Sequence, residues 1–230
     1  MMKITTNFNF SIPELAQRAD KILRSFDRDS DLFAGYGYDG AIRDKVGMIT
    51  SQVKDFPSDD FYESNQKVKT NEKRLIREEL ESDINDLRNR ARLVYGPKSM
   101  EYGLFKFNGT TEMSDTGLVQ YALHVIQIAQ PRLEELKKRQ VTQVNLNSIM
   151  TKRNQLDSAI DEQAAAVSLR KEKTVQRKHL ANDLYKLISE VCEVGKMIWK
   201  GKNEAFYTEY VIYGPTKVIT EQVEAGVKEE

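Results

Sequence analysis

Apolar residues recur at helical spacing along most of the chain. Ile12, Leu15, Ala16, Ala19, Ile22, Leu23 and Phe26 form one stripe, the pattern of a helix laid against a core. It predicts a first helix over about 12–34, with Ser11 as N-cap and Pro13 in the first turn. A second helix is predicted over about 40–95, stopped by Gly96-Pro97. Its stretch 62–74 is poor in apolar residues, whereas Leu75, Ile76, Leu80, Ile84, Leu87, Ala91 and Val94 form a stripe. Pro57 lacks an amide hydrogen and clashes with the preceding turn, so this helix should kink or break there, with Ser58 capping the restart. A third helix is expected over about 115–139, capped by Ser114 or Asp115 and irregular at Pro131. A fourth is expected over about 143–200, capped by Thr142 and ended by Gly201. Its seam is apolar at both ends (Leu146, Ile149, Leu156; Ala181, Leu184, Ile188, Val191) and polar in the middle, at Gln163, Arg170, Thr174 and Arg177. With no Gly or Pro in 163–180, a continuous helix is favoured over a bundle broken there.

The chain also resembles itself. Residues 15–23 align with 118–126 at an offset of 103, with Leu, Gln and Ala coinciding. Residues 72–94 align with 172–194 at an offset of 100, pairing Leu80 with Leu180, Asp83 with Asp183, Leu87 with Leu187 and Val94 with Val194. Glu101-Tyr102 matches Glu209-Tyr210. The offset falls by three between residues 53 and 72, around Phe56-Pro57-Ser58. The reading is a tandem duplication, about 11–107 and 115–214, of short helix, long helix and extended aromatic segment.

The expected fold class is therefore all-α: an elongated antiparallel helical bundle built from a duplicated short-helix/long-helix hairpin, with extended aromatic segments after each copy. Helix 1 and the start of helix 2 should pack on the end of helix 4, and helix 3 and the start of helix 4 on the end of helix 2. Residues 1–214 form one domain in this reading, and 215–230 a flexible charged tail.

Composition narrows the chemistry. Lys+Arg and Asp+Glu both number 35 in 230 residues, so the formal net charge is zero, unlike a dedicated polyanion binder. A single cysteine, Cys192, excludes an intrachain disulfide and reads as a small buried residue. No apolar run reaches a membrane span and the first residues lack a signal-peptide core, so a soluble, cytoplasmic protein is expected. Gly35-Tyr36-Gly37-Tyr38-Asp39-Gly40 fits a dinucleotide fingerprint but follows a helix instead of a strand, and reads as a turn with Asp39 as N-cap. Asp27, Asp29 and Asp31 have the first spacing of a calcium loop, but Leu32 and Tyr38 stand where Gly and Glu are needed. His124 and His179 belong to no metal or nucleophile motif. Asn108-Gly109-Thr110 is a glycosylation sequon without consequence in a protein that is not secreted. No catalytic residue, metal site or cofactor is expected, and the chain is not expected to be an enzyme.

Two surfaces remain as candidates. Aromatic residues concentrate outside the long stripes: Tyr102, Phe105 and Phe107 after the first copy, and Trp199, Phe206, Tyr207, Tyr210 and Tyr213 after the second. They seal bundle ends or form a partner surface, since such residues dominate interface hot spots. A basic cluster, Arg170, Lys171, Lys173, Arg177 and Lys178, lies on the fourth helix, within a segment 142–200 that holds ten basic and seven acidic residues. It faces phosphates or is a solvated helix face. The expected function is a non-catalytic helical scaffold or protein-interaction protein, whose partner is itself or another protein. A nucleic-acid accessory protein using the basic cluster comes second, and a membrane-active helical bundle third.

Overall fold

The computed structural model describes residues 4–107 and 109–213; the expected charged tail and Asn108 of the sequon lie outside the described residues. Every regular element among the described residues is a helix: α1 (Ile12–Arg28), α2 (Ser30–Ala34), α3 (Gly40–Asp55), α4 (Asp59–Tyr95), α5 (Met100–Gly103), α6 (Asp115–Ala129), α7 (Leu133–Leu136), α8 (Gln143–Trp199) and α9 (Glu204–Glu209), with short 3₁₀ turns at 110–112, 130–132 and 137–139. The chain is a helical bundle with long helices.

Local chemistry sets the ends of these helices. Ser11 accepts from the Glu14 amide, Asp39 from Ala41 and Ile42, Ser58 from Phe61, and Ser114 from Gly117. Each satisfies an orphan amide of the first turn. Asn145, three residues into the start of α8, accepts from the Thr142 amide and hydroxyl. Gly96 at the end of α4 and Gly201 beyond α8 take positive φ of 82° and 72°, conformations that glycine adopts without strain. The break before α4 consists of residues 56–58, where the proline removes a donor and Phe56 becomes extended. α8 is unbroken through its polar middle.

The structure corrects two of the expected elements. The first helix does not run to residue 34. It ends at Arg28, because Asp29 leaves helical geometry (φ −101°, ψ 15°) and its amide closes on Ser25 and Phe26. The aromatic segments are partly helical: Tyr102 lies in α5 and Phe206 and Tyr207 in α9, helices started by Ser99 and Asn203 caps on the Tyr102 and Phe206 amides, while Phe105, Phe107, Tyr210 and Tyr213 lie outside the helices. The third predicted helix is subdivided, with 3₁₀ turns around Pro131 and after α7, where the missing proline amide interrupts the ladder.

The chain divides into two compact units, residues 1–56 with 174–230, and residues 57–173. In the first, α1 and α3 form an antiparallel hairpin tied by Lys54–Asp20 and Arg43–Asp27 ion pairs. Its core joins Leu15, Ala19, Ile22 and Phe26 to Val46, Val53 and the α8 residues Ala181, Leu184, Ile188 and Val191. In the second, Leu80, Ile84, Leu87 and Ala91 of α4 meet Leu118, Ala122, Val125 and Ala129 of α6 and Leu146, Ile149 and Leu156 of α8. Full burial of each Val, Leu, Ile or Phe side chain among these contributes roughly 1.5–3 kcal/mol. Both cores draw on both halves of the sequence, in the pairing that the stripes predict. Within the second unit α4 and α8 are antiparallel: Glu63 meets Arg170, Lys69 meets Glu162, and Asp83 meets Lys152.

Candidate functional site

In the first unit α1 carries cations on one side, Arg18, Lys21, Arg24 and Arg28, at helical spacing. The segment 208–212 runs beside them. Glu14, Gln17, Arg18, Lys21 and Ile22 on one side and Thr208, Glu209, Val211 and Ile212 on the other enclose a groove of about 380 Å³. A second hollow of about 380 Å³ continues from Lys21 and Glu209 to Arg24, Ser25 and Arg28.

The two outer arginines are pinned. Arg18 bonds Glu14 at 2.7 Å and lies 4.4 Å above the Phe10 ring. Arg28 grips Asp29 with two hydrogen bonds of 2.8 Å, bonds Glu209 at 2.7 Å and stacks 3.8 Å from the Phe206 ring. Both combine ion pairing with cation–π attraction. Between them, Lys21 and Arg24 are exposed and have no carboxylate partner among the described residues; the Arg24 Nε donates only to the Asp20 carbonyl. Lys21 lines the groove together with Ile22, Val211 and Ile212, and Arg24 lines the adjoining hollow.

What holds the 208–212 wall in place is Asp29, which is 5% exposed. Its carboxylate accepts from Arg28, from the Trp199 indole at 2.8 Å and from the Tyr210 hydroxyl at 2.8 Å. Burial pushes its pKa up, but these hydrogen bonds outweigh burial and hold it below the ordinary aspartate value. Burial and the same contact raise the Tyr210 phenol, so that it stays a donor. The Tyr210 ring lies on Gly195 of α8 so closely that any side chain there would overlap it, and packs 5.7 Å from the Phe33 ring. Ser25 adds a hydrogen bond to Glu209.

The structure redistributes the aromatic candidates. Tyr210 and Phe105 are buried in their cores and present no surface to a partner, because each closes a core beyond a long helix. Trp199 and Phe206 are half-buried, their rings 4.8 Å apart, and Tyr207 is half-buried. Tyr213 is exposed, and its hydroxyl meets that of Tyr185 at 2.8 Å. In the second unit Tyr102 and Phe107 are half-buried, with Phe107 stacked on Phe105 at 4.9 Å. Trp199, Phe206 and Tyr210 thus assemble around the wall of the groove.

The basic cluster is less available than its composition suggests. Arg170 bonds Glu63 and Gln66 of α4. Lys173, Arg177 and Lys178 are half-buried, and Lys171 is exposed. Arg170, Lys171 and Lys173 belong to the second unit, Arg177 and Lys178 to the first. The remaining reactive groups are engaged locally: the Cys192 thiol is buried and pushed up to about 12 by burial, and the His124 Nε2 sits 3.1 Å from the Leu104 carbonyl. Among the described residues no three His, Cys, Asp or Glu side chains cluster as a metal site, and no helix is long and apolar enough to cross a membrane.

Sequence reasoning gives Lys21, Arg24 and Glu209 no site role and considers Asp29 only as a calcium-loop position. The spacing of the α1 cations is visible in the sequence; that residues 208–212 lie beside them is not. No protein-family model, curated protein or solved structure matches this chain.

Proposed function

We propose that this chain is a non-catalytic protein-interaction module, and that its partner docks in the groove between α1 and residues 208–212. The observation that carries this reading is the pair Lys21 and Arg24, uncommitted between two arginines that are pinned. Such cations beside a largely polar groove with Ile22, Val211 and Ile212 in its lining suit a peptide segment bearing carboxylates and one or two apolar anchors, the combination of hot spot and polar rim found in interfaces. The local engagement of Asp29, Cys192 and His124 supports a structural role for these groups.

The test is a tagged pull-down from the native organism's lysate, with and without nuclease, using the wild-type chain and a Lys21→Glu/Arg24→Glu variant. The expected result is a stoichiometric protein that survives nuclease, elutes with added salt and is lost from the double variant. Recovery that disappears with nuclease would replace this reading with the nucleic-acid one.

A further inference from the structure

The N-terminal half of α4 has a face that its own unit does not use. Its inward side meets α8 through Glu63, Gln66, Lys69 and Lys73. On a different side, Phe61, Val68 and Leu75 recur every seven residues and are 59%, 53% and 45% exposed. Apolar residues at an interval of seven on a continuous helix supply the a line of a left-handed coiled-coil seam, one of the two lines of a full seam.

The charges beside this stripe are partitioned. With Phe61, Val68 and Leu75 at a, the g positions are Asp60, Lys67 and Arg74, and the e positions are Asn65, Glu72 and Glu79. In a parallel pair of helices each g residue faces the e residue five positions later on the partner. Lys67 then meets Glu72 of a second copy, and Arg74 meets Glu79. An antiparallel pair would set Lys67 and Arg74 against each other. The e side also borders an open cleft of about 610 Å³ between α4 and α8, with Glu72, Glu79 and Glu162 on its rim and Ile76 and Ala159 beneath. In the single chain Lys69 holds Glu72 and Glu162 at 2.9 Å and Lys152 lies 3.8 Å from Glu79, so the long cations of the g side would share or exchange these carboxylates at the cleft. In the single chain Lys67 pairs with Glu63 and Arg74 with Glu78, both four residues away on the same helix. Such exposed pairs are weak and exchange readily.

We infer that residues 60–79 of α4 are a self-association surface, on which a second copy of this chain packs in parallel about a two-fold axis. The interface is isologous, each copy giving its basic side and receiving on its acidic side. The intervening d positions, Ser64, Asn71 and Glu78, are polar and set Glu78 against its own copy, which weakens the pairing and keeps it reversible. This surface is independent of the α1 groove.

Sedimentation equilibrium of the full-length chain tests the inference. Mass should rise with concentration from 26.5 kDa toward twice that value. Lys67→Glu/Arg74→Glu and Glu72→Lys/Glu79→Lys should each weaken self-association tenfold or more, and an equimolar mixture of the two variants should restore it as a heterodimer. Phe61→Cys in a Cys192→Ser background should form a disulfide between the two copies of position 61 on mild oxidation. A wild-type chain that stays monomeric up to its solubility limit, a mixture that fails to associate, or a Phe61→Cys chain that crosslinks only to a Leu75→Cys chain would each overturn the inference.

Discussion

At the residue scale the first unit turns on Asp29. A carboxylate taken out of water is costly unless its lone pairs are used, and here Arg28, Trp199 and Tyr210 use them. Removing the Tyr210 hydroxyl leaves the other donors in place, so Tyr210→Phe should cost about 1.5 kcal/mol. Gly195→Ala is a harsher change, because the added methyl meets the Tyr210 ring and not a flexible chain end. It should cost about 3 kcal/mol, at the upper end of core overpacking. Urea unfolding measures both, and limited proteolysis should show Gly195→Ala cut first near residues 200–205. Asp29 also shows where the sequence misleads. Asp27, Asp29 and Asp31 look alike on paper, yet Asp27 is exposed on Arg43 while Asp29 is buried. Only the partners at positions 199 and 210, remote in sequence, make that difference.

At the scale of elements, periodicity, caps and breakers were informative. Ser11, Asp39, Ser58 and Ser114 cap the helices they precede, and Pro57 separates α3 from α4. These signals act within a few residues and so are visible in the sequence. The turn at Asp29 and the helical form of α5 and α9 were not, since the first depends on distant partners and the others are single short turns. The internal resemblance is a property of the sequence, and the helix order does not by itself establish a duplication. A short helix precedes a long one in each half and a short helix follows, while residues 56–58 interrupt only the first half. Arg77 performs a long-range task of the same kind. It bonds Asp115 at 2.7 Å and the carbonyls of Thr110 and Met113, fixing the approach to α6. Arg77→Ala leaves the Met113 carbonyl without this donor, the Thr110 carbonyl with the Met113 amide alone, and Asp115 with Lys73 alone from this cluster. The expected loss is about 2 kcal/mol, with faster hydrogen exchange at residues 110–117 than in the wild type.

At the scale of the whole molecule, each unit has its own core and its own depressed carboxylate. In the second unit burial raises the Asp115 pKa, but hydrogen bonds from Lys73 and Arg77 outweigh it and lower it. A carboxyl group whose folded pKa is depressed contributes stability that is complete above its unfolded value, about 3.9, and is lost as pH falls through the folded value. Stability should therefore be nearly level from about pH 7 to pH 5 and decline below about pH 4. Asp29→Asn should lower the plateau and flatten the acid limb, which thermal melts across pH can follow. The pairing of stripes into two cores was legible from hydrophobic spacing. The groove was not, because it joins α1 to a segment about 185 residues later in the chain. We propose that this groove, and not the basic face of α8, receives the partner. The most direct measurement places a photo-crosslinking residue at Gln17, on the groove wall, or at Lys171, on the exposed α8 face, and irradiates intact cells. A discrete protein adduct from position 17 and none from 171 is expected. An adduct from 171 with none from 17 would contradict the account.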